Sequence, residues 1–303
     1  MHSITQKIIT ATSQVILGKE QQIRLALACI LARGHLLIED LPGMGKTTMA
    51  HTLAQVLGLQ FSRVQFTSDL LPADVLGVSV YDRNTATFKF HPGPVFTNVL
   101  LADEVNRATP KTQSALLEVM EEGQVTLEGE TRKLPQPFFV IATQNPTHHI
   151  GTFPLPESQL DRFLMRIQLG YPDTGSERDL LKSIGGRVAM NTLEPAVNGA
   201  ELIALQREVD HIHISDALLD YLQALLSYTR TSSRYTAGLS PRAGLALRQC
   251  AQAWALMQGR DFALPEDVQA VLPGVAGHRL QTVSGTESFG DAGAHLLNAV
   301  AVP

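Results

Sequence analysis

The chain has 303 residues, a formal charge of −5 and a hydrophobic fraction of 44%. This composition supports a sizeable core and excludes a disordered chain. The acidic balance argues against a protein that coats nucleic acid, because such proteins neutralise phosphates with Lys and Arg. The best apolar run, Ala26 to Ala32, is too short to cross a bilayer, and residues 1–14 lack a signal-peptide pattern. We therefore expect a cytoplasmic protein without membrane insertion.

From Val15 to about Leu169, short apolar runs alternate with segments of helical periodicity. The apolar runs predict five strands, over residues 35–39, 61–66, 99–103, 137–143 and 164–169. The periodic segments predict helices over residues 19–33, 46–57 and 110–122. This alternation is typical of an α/β fold, in which a parallel sheet is covered by helices on both faces.

Two predicted hairpins interrupt the alternation. Residues 78–90 hold two strand-like runs on either side of Arg83-Asn84, and residues 124–134 hold two more around Glu128-Gly129. Inserted hairpins are often surface excursions, and they also serve as working loops. The residues alone do not decide between these roles.

The pattern changes after Tyr171-Pro172-Asp173, where strand-like runs nearly vanish. Amphipathic helices are predicted over residues 175–184, 200–210, 215–230 and 241–258. We therefore predict two domains, an αβα core over residues 1–172 and a helical domain over residues 173–303. From about Gln281 the sequence holds Gly, Ala and Ser with little periodicity, which predicts a loosely attached tail.

The strongest motif is the segment Asp40-Leu-Pro-Gly-Met-Gly-Lys46-Thr47, which follows the first predicted strand and opens a helix. Small residues there let backbone N–H groups face an anion, and the helix N-terminus adds partial positive charge. Lys46 is predicted to reach the β- and γ-phosphates and Thr47 to hold Mg²⁺. Asp40 stands where the G-x4-G-K-[ST] pattern has its first glycine. A plain glycine-rich turn is the alternative, and it would not require Lys-Thr. The nucleotide contacts predicted in this segment are Pro42, Gly43, Met44, Gly45, Lys46, Thr47 and Thr48.

Two other predicted strands end in polar residues, which a parallel sheet delivers to its ligand crevice. Asp103 is predicted to orient Mg²⁺ through its waters, and Glu104 to polarise the attacking water. Asn145, at the end of a third strand, is predicted to bond both the γ-phosphate and that water. Solvated carboxylates are the alternative for the acids, and an ordinary strand terminator is an equal alternative for Asn145.

Taken together, the segments DLPGMGKT, LLADEVNRA, ATQNP, LPESQLDRF and GLSPRA resemble an AAA+ ATPase of the MoxR family, over nearly the whole chain. The resemblance implies a P-loop αβα core of the ASCE type with a parallel sheet, followed by a small all-helical lid. It also implies ATP hydrolysis with Mg²⁺ in an oligomeric ring, usually a hexamer. Acidic variants at the position of Asp40 occur in this group.

The resemblance assigns further roles. Asn145 matches the family's sensor 1, and Arg162 matches the arginine finger, which is supplied to the γ-phosphate of a neighbouring subunit. Arg242 matches sensor 2, which in the family reaches the nucleotide from the lid. Gly18 belongs to a stretch that resembles the adenine-contacting segment. For both arginines a surface ion pair is the alternative.

The function implied by the resemblance is chaperone-like remodelling, maturation or activation of protein clients. A partner that bears a von Willebrand factor A domain is a common associate of such proteins. Three alternatives stay open: the ATPase subunit of a magnesium-chelatase-like complex, a DNA-directed AAA+ motor, and a small-molecule P-loop kinase. The kinase would not need Arg162 or Arg242, and the motor would usually carry a basic DNA-contacting surface or an added DNA-binding domain. We expect client recognition to fall to inserts such as residues 78–90 or to another protein.

Overall fold

The computed structural model describes residues 2–145, 152–182, 193–283 and 291–302. The strands are β1 (Leu36–Glu39), β2 (Phe61–Gln65), β3 (Gly77–Asp82), β4 (Thr87–Pro92), β5 (Val99–Asp103), β6 (Gln124–Leu127), β7 (Glu130–Lys133), β8 (Phe139–Gln144) and β9 (Met165–Ile167). The helices of the first part are α1 (His2–Ser13), α2 (Glu20–Leu31), α3 (Lys46–Val56), α4 (Pro72–Leu76), α5 (Pro110–Glu122), α6 (Glu157–Leu160) and α7 (Thr174–Lys182). Those of the second part are α8 (Gly199–His211), α9 (Asp216–Thr231), α10 (Pro241–Met257), α11 (Pro265–Ala276) and α12 (Asp291–Ala299).

A five-stranded parallel sheet organises the first part, in the order β2-β5-β8-β1-β9. Strands β5 and β8 are buried along their whole length, as expected for a sheet covered on both faces. The predicted α/β fold is therefore confirmed. Because all five strands run in one direction, the chain after β1, β5 and β8 emerges at the same edge of the sheet.

Strand β9 is shorter than the predicted strand over residues 164–169. The N–H groups of Leu169 and Gly170 donate to the carboxylate of Asp40, at 2.8 and 2.6 Å, rather than continuing a ladder. A side chain from the first loop therefore ends this edge strand.

Both predicted hairpins are present as separate two-stranded antiparallel sheets, β3–β4 and β6–β7. Glu128 and Gly129 have φ values of 53° and 81°, as a two-residue hairpin turn with two left-handed residues requires. The Arg132 guanidinium lies 4.1 Å from the centre of the Phe90 ring, so the second hairpin contacts the first.

The helical second part packs against α1 and α2, which lie on one face of the sheet. One continuous hydrophobic cluster joins residues such as Ile8 and Leu27 to Leu205 and Trp254. A second cluster, with Leu37 and Leu116, fills the opposite face beneath α5. Within the described ranges, none of the helices combines the length and apolar character that crossing a bilayer requires.

The prediction of a loosely attached tail from about Gln281 is wrong for residues 291–299. These residues form α12, whose Leu296 is fully buried against the helical part. A Cβ built at Gly293 would lie 2.7 Å from the Cα of Pro273, so a small residue there permits close helix contact. The end of the predicted helix over residues 175–184 lies outside the described residues, and α7 ends at Lys182.

Two neutral histidines, His35 and His278, link backbone segments at the amino-terminal edge of the sheet. The N–H of Val140 donates to His35 Nδ1, and Nε2–H donates to the carbonyl of Met120, each at 2.9 Å. Burial lowers the pKa of His35 to about 4. Burial and two nearby arginines lower the pKa of His278 well below its usual value.

These histidines should make the fold acid-sensitive, because the unfolded chain binds protons that the native state does not. Between pH 6.5 and 4 the free energy of unfolding therefore falls as pH falls. At pH 5 the decrease due to His35, relative to pH 8, is about 2 kcal/mol. In urea unfolding, the decrease in the free energy of unfolding from pH 8 to pH 5 should be smaller in His35→Gln than in the parent chain, by about that amount. The exposed residue His91 provides the control, His91→Gln. Equal losses in His35→Gln and the parent chain would contradict this assignment.

Candidate nucleotide-binding site

The loop between β1 and α3 is shaped by two glycines with left-handed backbones. Gly43 and Gly45 have φ values of 85° and 87°, and a Cβ built at either would meet no described atom within 4 Å. The glycines are therefore needed for conformation, and they leave open space beside the loop. No described side chain caps α3, so its first-turn N–H groups are available for an anion. This arrangement fits a phosphate cradle.

Lys46, at the start of α3, is only 7% exposed. Its ammonium donates to the carbonyls of Asp40 and Leu41, the latter at 3.2 Å, and to Asn145 Oδ1 at 2.9 Å. Burial lowers the pKa of Lys46, and the neighbouring carboxylates, Asp40 foremost, oppose that shift. Its partners are neutral oxygens, which phosphate oxygens of a ligand would replace.

The two predicted Mg²⁺ residues lie side by side at this edge. Thr47 Oγ1 is 3.5 Å from Asp103 Oδ2, and Thr143 Oγ1 donates to Asp103 Oδ1 at 2.6 Å. Arg63 on β2 also donates to Asp103 Oδ2, at 2.6 Å. A hydroxyl and a carboxylate are oxygen ligands that suit Mg²⁺, which here would share the carboxylate with a guanidinium.

Glu104 follows β5 in a left-handed conformation, with a φ of 56°. This turn directs its carboxylate back across the sheet edge, where Asn145 Nδ2 donates to Oε1 at 3.0 Å. Gln65 and Arg107 donate to Oε2, each at 3.0 Å. A non-glycine residue at positive φ is uncommon, and such residues are concentrated at functional sites.

Asn145 connects the two charged groups of the site. Its amide oxygen accepts from Lys46 and its amide nitrogen donates to Glu104, so these two bonds fix its orientation. Thr143, two residues earlier, accepts from the backbone N–H of Glu104 at 2.9 Å. The carboxyl ends of β1, β5 and β8 thus deliver one hydrogen-bonded network.

The remaining predicted contacts surround this network. Pro42 is exposed at the tip of the loop, and Met44 packs against the main core. A Cβ at Gly18 would lie 2.4 Å from Ser176 Oγ and 2.7 Å from Asp173 Oδ2, so Gly18 packs closely on the beginning of α7. Thr48, in the first turn of α3, is partly exposed.

Arg162 and Arg242 lie together at a different place. Both pair with Glu121 on α5, at 2.7 and 2.9 Å, and Arg162 also donates to the carbonyl of Leu117. The backbone N–H of Leu164 donates to the carbonyl of His35, just before β1. This segment therefore lies at the amino-terminal edge of the sheet, opposite the loop that follows β1. The chain does not bring either arginine to its own phosphate cradle.

Three residues that contact the predicted acids, Arg63, Gln65 and Arg107, are not predicted from the sequence. Gln65 is aligned with Asp103 in the β2–β5 ladder, so the end of β2 lies beside both acids. The strand order would have pointed to Arg63 and Gln65. That order is set by tertiary packing and does not follow from the local sequence pattern.

Comparisons with known proteins match this architecture. Residues 35–165 match the family model for the ATPase family associated with various cellular activities (AAA), and residues 227–294 match that for the AAA lid domain. Chaperone MoxR1 of Mycobacterium tuberculosis is 40% identical over 284 residues, covering 91% of this chain and 75% of the relative. Protein MoxR of Paracoccus denitrificans is 31% identical, with coverage of 89% and 86%.

The chain belongs to the MoxR family of AAA+ ATPases. The uncharacterized protein YeaC of Bacillus subtilis is 46% identical over 280 residues, covering 92% of this chain and 88% of the relative. A crystal structure from Cytophaga hutchinsonii, described as a "putative ATPase", has a TM-score of 0.89 and 36% identity. It covers all of this chain, which covers 96% of it. An AAA+ domain implies nucleotide binding, usually with Mg²⁺, and the open cradle beside Lys46 fits that ligand.

Proposed function

We propose that this MoxR-family protein hydrolyses Mg²⁺-ATP in an oligomeric ring and uses the cycle to remodel or activate protein clients. The observation that carries the proposal is the continuous network from Lys46 through Asn145 to Glu104, beside Thr47 and Asp103. A cation, a polar amide and a carboxylate stand in the order that phosphate binding, water orientation and water activation require.

The roles follow from position and chemistry. The first-turn N–H groups of α3 and the Lys46 ammonium would hold the β- and γ-phosphates. Thr47 and Asp103 would hold Mg²⁺, which when bound offsets charge on the phosphate oxygens. The Glu104 carboxylate would accept the proton of the attacking water, and the Asn145 amide would orient that water. Pro42, Gly43 and Met44 would line the loop, and Gly18 would lie on the adenine side.

Assembly explains where the two arginines lie. In a lone protomer, Arg162 and Arg242 are held by Glu121 at the edge opposite the cradle. A ring that sets this edge against the next protomer's loop would supply both guanidiniums to that protomer's γ-phosphate. Such a contact is heterologous, and it forms a ring when the rotation between protomers closes; the expected ring is a hexamer.

Client remodelling is supported by the relative named Chaperone MoxR1 and by the first hairpin. Val78, Val80, Tyr81 and Phe88 on β3 and β4 are all at least 48% exposed, an apolar surface suited to unfolded or partner protein. A partner with a von Willebrand factor A domain is one candidate to dock there. We also propose that the core ends near residue 172 and that the lid follows.

Nucleotide binding and assembly can be tested together. We expect the parent chain to bind ATP with Mg²⁺ and its specific phosphate-release rate to rise with protein concentration, in parallel with a larger mass by light scattering. Lys46→Ala should lose ATP binding, because the buried cation that faces the phosphates is gone. Lys111→Ala, at an exposed position on α5, is the matched control. A parent chain that fails to bind ATP would refute the proposed function.

A further inference from the structure

Asp40 occupies the first position of the loop, where the general phosphate-loop pattern has glycine. The residue is 8% exposed, and its carboxylate accepts three backbone N–H groups. One belongs to the next residue, Leu41, and the other two belong to Leu169 and Gly170. A buried carboxylate with three donors is strongly held, because each bond is charge-assisted.

The segment over residues 169–173, here called the connector, joins β9 to α7. It is also held from a second side, since Lys19 Nζ donates to the carbonyl of Tyr171 at 2.5 Å. At its end, the Asp173 carboxylate accepts from the N–H groups of Gly175 and Ser176. The connector therefore lies between the phosphate loop and the stretch that ends at Gly18.

Two opposite ends of Asp40 make these contacts. Its side chain holds the connector, and its backbone carbonyl accepts the Lys46 ammonium. If Lys46 turned toward phosphate, it would release that carbonyl and change the balance of charge around the Asp40 carboxylate. A glycine at this position could accept from Lys46 but could not hold the connector.

We propose that Asp40 is a positioning residue that couples occupancy of the phosphate loop to the connector. The proposal rests on the proposed function, since it requires ATP to bind at Lys46. It predicts that nucleotide on the loop is sensed at residues 169–173, through a carboxylate that accepts backbone N–H groups of that segment.

Hydrogen exchange measures both halves of this proposal. In nucleotide-free protein, Asp40→Gly should raise the exchange rate of the Leu169 and Gly170 amides at least tenfold, because their acceptor is lost. Asp40→Asn retains one acceptor oxygen and should give an intermediate increase. Asp69→Gly introduces a glycine at an exposed loop position and should leave these amides unchanged.

The second measurement adds Mg²⁺ and a non-hydrolysable ATP analogue. In the parent chain the analogue should change connector exchange several-fold. In Asp40→Gly that response should disappear, while the dissociation constant for the analogue stays within about threefold, since glycine is the usual residue in phosphate loops. A structural defect alone would lower stability without removing the nucleotide response.

The outcomes separate the two proposals. Unchanged Leu169 and Gly170 exchange in both Asp40 variants would overturn the tether. An equal response to the analogue in the parent chain and Asp40→Gly would overturn the coupling. Failure of the parent chain to bind the analogue would refute the proposed function and the coupling with it, whereas the nucleotide-free measurement would still test the tether.

Discussion

Glu104→Gln is expected to bind ATP as the parent chain does and to hydrolyse it about 10²–10⁴ times more slowly, the usual contribution of a positioned general base. The glutamine amide oxygen can still accept from Asn145, so the network that holds Lys46 is kept. Thr47 and Asp103 are untouched, so metal binding should persist. The substitution removes the ability to accept a proton from water, together with the carboxylate oxygen that Gln65 and Arg107 contact.

Single-turnover phosphate release, together with the dissociation constant for ATP, checks this expectation. Glu118→Gln, at an exposed position on α5, is the matched control and should behave as the parent chain does. Near-normal turnover in Glu104→Gln would remove Glu104 from the proposed mechanism. Loss of ATP binding would show instead that the carboxylate serves the ligand or the fold.

The same variant gives access to the client. A protein that binds ATP without hydrolysing it should stay in its ATP-bound form, so partners that prefer this form would remain attached. Capture from the native cell extract with ATP, compared with capture by Glu104→Gln that also carries Lys46→Ala, would separate nucleotide-dependent partners from contaminants.

Arg162→Ala is expected to lower kcat by about 10³–10⁵, the range observed for arginine fingers, while ATP binding and the fold are retained. The reason is geometric. Arg162 lies at the edge opposite its own cradle and pairs there with Glu121, so its removal leaves the network of Lys46 and Glu104 intact. Arg242→Ala should act in the same direction, because Arg242 shares that edge.

A mixing experiment distinguishes a contribution between subunits from one within a subunit. Arg162→Ala and Lys46→Ala should each be inactive alone, yet an equal mixture should regain up to about a quarter of parental activity, because random assembly pairs an intact cradle with an intact arginine at that share of heterologous contacts. A mixture that regains nothing, although co-purification of differently tagged subunits shows mixed complexes, would contradict a finger supplied by the neighbour.

Much of the sheet and of the cradle could be predicted because local patterns determine them. The buried strands read as apolar runs, and the polar residues after β1, β5 and β8 converge because parallel strands end at one edge. Lys46, Thr47, Asp103, Glu104 and Asn145 are therefore brought together as the motifs indicated. Their individual chemical roles stay predictions.

The parts that could not be predicted depend on tertiary packing. Helix α1 is rich in β-branched residues, which have a low helix propensity. The helix forms because residues such as Ile8 and Ile9 are buried in the core. Helix α11 contains Pro273, which argues against a helix from sequence alone. Helix α12 holds small residues that look aperiodic, but its Leu296 is fully buried. In each case tertiary burial outweighs the local signal.

The position of the arginines shows the same limit at the site. The motifs around Arg162 and Arg242 predict that both act on nucleotide. No local pattern indicates whether that nucleotide is bound by the same subunit or by a neighbouring one. Their shared partner, Glu121, lies on helix α5 of the core and belongs to none of the sequence motifs. Only the three-dimensional arrangement places them across the sheet from their own loop.

The hydrophobic cluster that runs from α1 and α2 into the second part has a mechanical consequence. Ile8 and Leu27 share one close-packed interior with Leu205 and Trp254, so the described parts of the two regions are joined by a common core. A large rotation of the lid relative to the core would have to separate the residues of this shared cluster. In the ring that we propose, displacement during an ATP cycle would therefore occur at the contacts between protomers.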